Sequence, residues 1–126
     1  MEQDIGYKII GAAMEVHRVL GPGLLESAYQ TALAHELKLR GFKVETEVKM
    51  DFDYKGVQLE EAYRADIIVN NEVILELKAV TEVRPIFQMQ LLTYLKLSGL
   101  KLGYLINFNT GSLKNNTSYF RIVNNL

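Results

Sequence analysis

Arg64-Ala65-Asp66-Ile67-Ile68-Val69-Asn70-Asn71-Glu72-Val73-Ile74-Leu75-Glu76-Leu77-Lys78-Ala79-Val80 is two apolar runs joined by a short polar connection. Valine and isoleucine dominate the first run and open the second, and asparagine tolerates the left-handed conformation of tight connections. The segment therefore reads as two antiparallel strands. Side chains alternate faces along a strand, so Glu76 and Lys78 point the same way. A carboxylate and an ammonium inside an apolar strand are costly unless paired or put to use. Asp66 and Glu76 can together hold Mg²⁺, and Lys78 stands beside them. That is the hardware of metal-assisted phosphodiester hydrolysis. The competing reading is a buried Glu76–Lys78 ion pair that only stabilises, or a strand with one solvated face.

The connection controls whether the acidic pair exists. Residues opposite each other in an antiparallel pair share a face. A two-residue turn, Asn70-Asn71, sets Asp66 opposite Leu75 and puts the two carboxylates on opposite faces. A three-residue loop, Asn70-Asn71-Glu72, sets Asp66 opposite Glu76. A slip of one residue flips the face, so loop length or a bulge selects between the two.

Outward from this hairpin, Ile5, Ile9, Ala12, Ala13, Val16 and Leu20 follow helical spacing, giving a helix from 4 to about 19 with Asp4 as N-cap. Gly21-Pro22-Gly23 breaks it. A second helix is expected over 25–40, ended by Gly41. Val44, Thr46 and Val48 alternate with charges as a half-buried strand does. Residues 52–59 read as its partner, with Lys55-Gly56 as a bulge or turn, and 63–69 and 73–80 as two more strands. Residues 85–98 form a helix ended by Gly99, 102–108 a late strand, 109–116 a polar loop and 118–123 a short edge strand. The third helix is long enough to cross over and set the late strand parallel to 73–80. The expectation is a single α/β domain over 1–126, a mixed sheet flanked by helices.

Composition narrows the class. A 126-residue chain that is 48% hydrophobic can bury a core without staples. It contains no cysteine, which excludes a disulfide framework and makes the reducing cytoplasm the expected compartment. The acidic start, Met1-Glu2-Gln3-Asp4, has no signal-peptide pattern, and no apolar stretch approaches the ~20 residues of a membrane span. A net charge of −1 argues against a protein built mainly to grip duplex DNA by its backbone. It does not exclude a nuclease, whose carboxylates count as negative until a metal arrives.

Asp66 followed by Glu76-x-Lys78 resembles the core motif of the PD-(D/E)XK nuclease superfamily. Gly21-Pro22-Gly23-Leu24-Leu25-Glu26-Ser27-Ala28-Tyr29 contains Gly23-x-x-Glu26-x-x-Tyr29, the signature of the GxxExxY proteins, a bacterial and archaeal group placed in that superfamily. Glu15-Val16-His17-Arg18, Glu76-Leu77-Lys78-Ala79-Val80, Gln90-Leu91-Leu92-Thr93-Tyr94-Leu95 and Leu105-Ile106-Asn107-Phe108 resemble the same group, in the same order. The likeness departs at 115–119, which is longer and more polar than the group's compact basic ending. The resemblance implies a restriction-endonuclease-like fold, with Asp66 and Glu76 as ligands of Mg²⁺ or Mn²⁺. It implies that Lys78 steadies the attacking water or the scissile phosphate, and that Glu26 is a further acidic contributor from a helix. Gln90 and Tyr94 match a Gln-x-x-x-Tyr pattern of some superfamily branches, and i, i+4 spacing puts them on one helix face. Tyr29 reads as a supporting residue of core or site.

Two functions follow as expectations. One is a metal-dependent nuclease of DNA or RNA. The alternative is a non-catalytic nucleic-acid- or protein-binding module that keeps the nuclease fold. A small domain without an appended recognition module calls for a homodimer or protein partner to hold substrate. His17 and His35 fit no metal-binding spacing, Asp51 and Asp53 read as a solvated edge beside Lys49 and Lys55, and Gly21 and Gly23 fit no phosphate-cradling pattern.

Overall fold

The structure is a computed structural model that describes residues 4–125; most of the acidic start read above, residues 1–3, lies outside them. Its elements are α1 (Ile5–Leu20), α2 (Glu26–Leu39), β1 (Val44–Tyr54), β2 (Val57–Val69), β3 (Val73–Lys78), α3 (Pro85–Ser98), β4 (Leu102–Asn107) and β5 (Tyr119–Val123). The strands form one sheet in the order β1-β2-β3-β4-β5. The β3–β4 pair is parallel and the other three pairs are antiparallel. This is the mixed α/β sheet flanked by helices that the sequence implies.

Local chemistry sets the helix ends. Asp4 Oδ1 accepts the Tyr7 N–H at 2.8 Å, and Gly21 closes α1 by donating to the His17 carbonyl. Pro85 stands in the first turn of α3, where its missing N–H costs nothing, and Gly99 leaves α3 in the left-handed conformation. Two core layers result. Ile9, Ala13, Val16, Leu33 and Leu37 of α1 and α2 pack on Ile67, Leu75 and Ile106. On the other face, Leu91 and Leu95 of α3 pack on Ala65, Ile74 and Leu105. A Cβ on Gly103 would lie 3.1 Å from the Leu91 side chain, so α3 sits close over β4 because that position is glycine.

The first half of the sheet has fewer and longer strands than the sequence suggests. Residues 52–54 belong to β1 and 57–59 open β2, so no separate strand covers 52–59. Lys55 and Gly56 both have positive φ, at 51° and 89°, the hallmark of a two-residue hairpin turn whose twist suits the strands. Alternation fails as a guide there because Gln58, Leu59, Glu60, Glu61 and Ala62 are exposed on both faces. Asp53 accepts the Gly56 N–H and Asp51 the Glu61 N–H, so both carboxylates secure the hairpin backbone.

β1 and β2 also change faces midway. Val44 and Ile67 pack in the α1–α2 layer, whereas Val48, Met50, Tyr63 and Ala65 pack in the α3 layer. The crossing falls where Glu47 adopts φ 51°, between the pairs Thr46↔Ile67 and Val48↔Ala65. Asp66 stands at that point.

Candidate active site

β2 and β3 pair as Val69↔Val73, Ile68↔Ile74 and Ile67↔Leu75. The connection is therefore the three-residue loop, with Asn70 and Asn71 at φ 52° and 55° and the Glu72 N–H bonded to the Val69 carbonyl. Continued one step, this register sets Asp66 opposite Glu76. The ladder itself stops there. Instead of a strand carbonyl, Asp66 Oδ2 accepts the Leu77 N–H at 2.8 Å. The face change at Glu47 and this side-chain substitution open the sheet where the carboxylates stand.

Glu76 and Lys78 face α3. The Tyr63 hydroxyl donates to Glu76 Oε1, and the Tyr63 ring stacks on Tyr94 of α3 with centroids 3.5 Å apart. Lys78 Nζ lies 4.5 Å from the centre of the Phe87 ring, also on α3. Ion pairs among the described residues involve Arg18, Arg40 and Arg64, not Lys78. The purely structural Glu76–Lys78 pair is thus not what the chain forms.

Burial and like charge dominate the electrostatics. Burial raises the Glu76 carboxyl to about 7, and the Asp66 charge adds to the rise against the Tyr63 hydrogen bond and Lys78. Burial likewise raises Asp66, opposed by the Leu77 N–H and reinforced by Glu26 and Glu47. Burial drives Tyr63 far upward, with Glu76 next, so its hydroxyl keeps its proton and donates. Two desolvated carboxylates that resist ionising side by side are a pair whose mutual repulsion a divalent cation would relieve. Mg²⁺ keeps several waters and needs only one or two carboxylates, so this pair fits it in ligand type and number.

Glu26 is exposed in the first turn of α2 and acts on Asp66 through its field. Among the described residues no three His, Cys, Asp or Glu side chains form a metal-holding group, so Glu26 does not join the pair as a third ligand here. Gln90 is exposed on α3, one turn before Tyr94. Tyr29 lies fully buried away from the carboxylates. Its hydroxyl donates to the Gly21 carbonyl at 2.6 Å and accepts the Leu24 N–H at 3.1 Å, while its ring stacks on Phe108. Tyr29 therefore ties down the Gly21-Pro22-Gly23 loop that leads into Glu26.

With this geometry in place, the model of the PD-(D/E)XK nuclease superfamily matches residues 3–121. The chain belongs to that superfamily. Among solved structures the chain is similar to the crystal structure of SSO0001, at 20% identity and a TM-score of 0.50 over 100% of this chain and 81% of that one. That likeness concerns the fold alone. No curated protein matches the chain in sequence. No helix among the described residues is long and apolar enough to cross a membrane.

Three residues that support the superfamily motif escape a reading of the motif itself. Tyr63, three positions before Asp66, holds Glu76. Phe87 underlies Lys78. Asn107 clamps β3 where it ends, its Nδ2 donating to the Val80 carbonyl and its Oδ1 accepting the Val80 N–H, both at 3.0 Å. The parallel β3–β4 register, with Lys78 opposite Asn107, was the signal available for the last.

Proposed function

We propose that Asp66, Glu76 and Lys78 form the hydrolytic centre of a metal-dependent nuclease acting on DNA or RNA. The observation that carries this reading is the register. A three-residue loop places the two carboxylates opposite each other at the point where the ladder opens. Asp66 and Glu76 would hold Mg²⁺ or Mn²⁺, which when bound supplies a Lewis acid for the phosphate and an acidified water. The Leu77 N–H orients Asp66, and Tyr63, backed by Tyr94, orients Glu76. Lys78 forms no ion pair among the described residues, which leaves its ammonium available to offset charge developing on the scissile phosphate. Gln90 and Tyr94 border the site from α3 as substrate contacts or supports, and Glu26 adds negative field from α2.

Gly23, Glu26 and Tyr29 support a placement among the GxxExxY proteins, because they cooperate physically. Gly23 takes φ 104°, Tyr29 fastens the loop, and α2 then begins with Glu26. The cysteine-free chain suits the cytoplasm. The test is cleavage of labelled single- and double-stranded DNA and RNA by wild type and Asp66→Asn, with Mg²⁺, Mn²⁺ or chelator. The expected result is metal-dependent cleavage of at least one polymer, abolished in the variant. Wild type that binds the metal and a polymer yet cleaves none would identify a binding module instead.

A further inference from the structure

A cleft of about 540 Å³ lies on the α1–α2 side of the sheet, across it from the α3 layer that receives Glu76 and Lys78. Tyr7, Tyr104 and Tyr119 line it, with Arg40 from the end of α2 and Arg121 from β5. An adjoining cleft of about 480 Å³ shares Tyr7, Gly11 and Arg40 and adds Lys8. Glycine inside a helix costs up to ~1 kcal/mol relative to alanine, yet α1 carries Gly6 and Gly11 on this wall. A Cβ at Gly6 would overlap the Tyr104 hydroxyl, and one at Gly11 would touch Arg40 Nη1 at 3.4 Å. Gly6 thus admits the end of the Tyr104 ring against α1, and Gly11 leaves α1 bare beside Arg40. Arg40 spends its Nε on Glu36, and its Nη1 lies at the cleft wall beside Gly11. Arg121 lies against the Tyr104 hydroxyl, and its charge opposes the rise that burial gives that phenol. The one acidic lining residue, Asp4, already accepts the Tyr7 N–H.

Two guanidinium groups in one concavity suit a phosphate, which arginine binds through paired N–H donors. Tyrosine rings suit a base, whose flat face stacks without regard to sequence. We propose that this cleft binds a nucleoside phosphate, with the phosphate on Arg40 and Arg121 and the base against the exposed ring of Tyr7. The ligand is either a free nucleotide or the phosphorylated end of a strand. The cleft volume lies within the ~300–1,000 Å³ usual for such ligands.

Calorimetric titration without divalent metal tests this apart from catalysis. The probes are the common nucleoside 5′-monophosphates, a 5′-phosphorylated trinucleotide and inorganic phosphate. The monophosphate or the trinucleotide is expected to bind more tightly than inorganic phosphate, and the tighter of the two identifies the source. Arg121→Gln and Tyr7→Ala change exposed side chains and are each expected to weaken binding about tenfold or more. Asp66→Asn is expected to bind as wild type does. Three results would overturn the assignment: no binding of either nucleotide probe at millimolar concentration, inorganic phosphate binding as well as the nucleotides, or affinity unchanged in Arg121→Gln or Tyr7→Ala. Loss of binding in Asp66→Asn would overturn it equally, by moving the ligand to the other face.

Discussion

Glu76→Gln isolates the electrostatic tension of the carboxylate pair. The amide keeps an acceptor oxygen for the Tyr63 hydroxyl and removes only the charge. In wild type the Glu76 carboxyl titrates near 7 in the folded protein, against an ordinary 4.5. Between those values the folded chain binds more protons than the unfolded one. Stability is therefore full below pH 4.5 and falls as pH rises to about 7, with no further loss from this group above. At 1.36 kcal/mol per pH unit the fall is ~3 kcal/mol. Asp66 is raised too and acts in the same direction. Urea unfolding of wild type and Glu76→Gln in chelator, from pH 4.5 to 8, measures the difference directly. The variant is expected to match wild type at the acid end and exceed it by ~2–3 kcal/mol at the alkaline end. Parallel pH profiles for the two proteins would refute the claim that Glu76 is ionised at a cost in the folded state.

Lys78→Ala is expected to abolish most cleavage, by ~10²–10³-fold, while lowering stability by only the ~0.5–1 kcal/mol of its contact with Phe87. Thermal unfolding checks the second part, since a broken buried ion pair would instead cost ~3–5 kcal/mol. Tyr29→Phe keeps the stack on Phe108 and loses both loop hydrogen bonds, so the urea midpoint should fall by the equivalent of ~1–3 kcal/mol at unchanged slope.

The sequence makes the helices and the hairpin β2–β3 legible because each is punctuated by residues with one physical purpose. Asp4, Gly21, Gly41 and Gly99 end helices by hydrogen bonding or positive φ. Asn70 and Asn71 permit the left-handed loop without fixing its length, and it is the three-residue length in the structure that sets Asp66 opposite Glu76. What escapes is the change of face in β1 and β2. Strict alternation puts Tyr63, Ala65 and Ile67 on one side, yet Ile67 lies in a different layer from the other two. Nothing in Glu47 announces its positive φ, because glutamate rarely adopts it and tertiary pairing imposes it. The same twist brings Tyr63 beneath Tyr94 and onto Glu76, so the tyrosine that orients a candidate ligand is hidden from any strand-based reading. Gly23, Glu26 and Tyr29 are visible as a motif, but only the buried hydroxyl of Tyr29 reveals that its task is to hold a loop.

Binding of Mn²⁺ by calorimetry near pH 7.5 tests most directly whether Asp66 and Glu76 act as one divalent-cation site. The wild-type protein is expected to bind one ion and to gain thermal stability from it by mass action. Asp66→Asn and Glu76→Gln are each expected to lose that binding and that gain, while Lys78→Ala retains both. Wild type that binds no Mn²⁺ at millimolar concentration, or binds it equally well after either carboxylate is removed, would contradict the metal site.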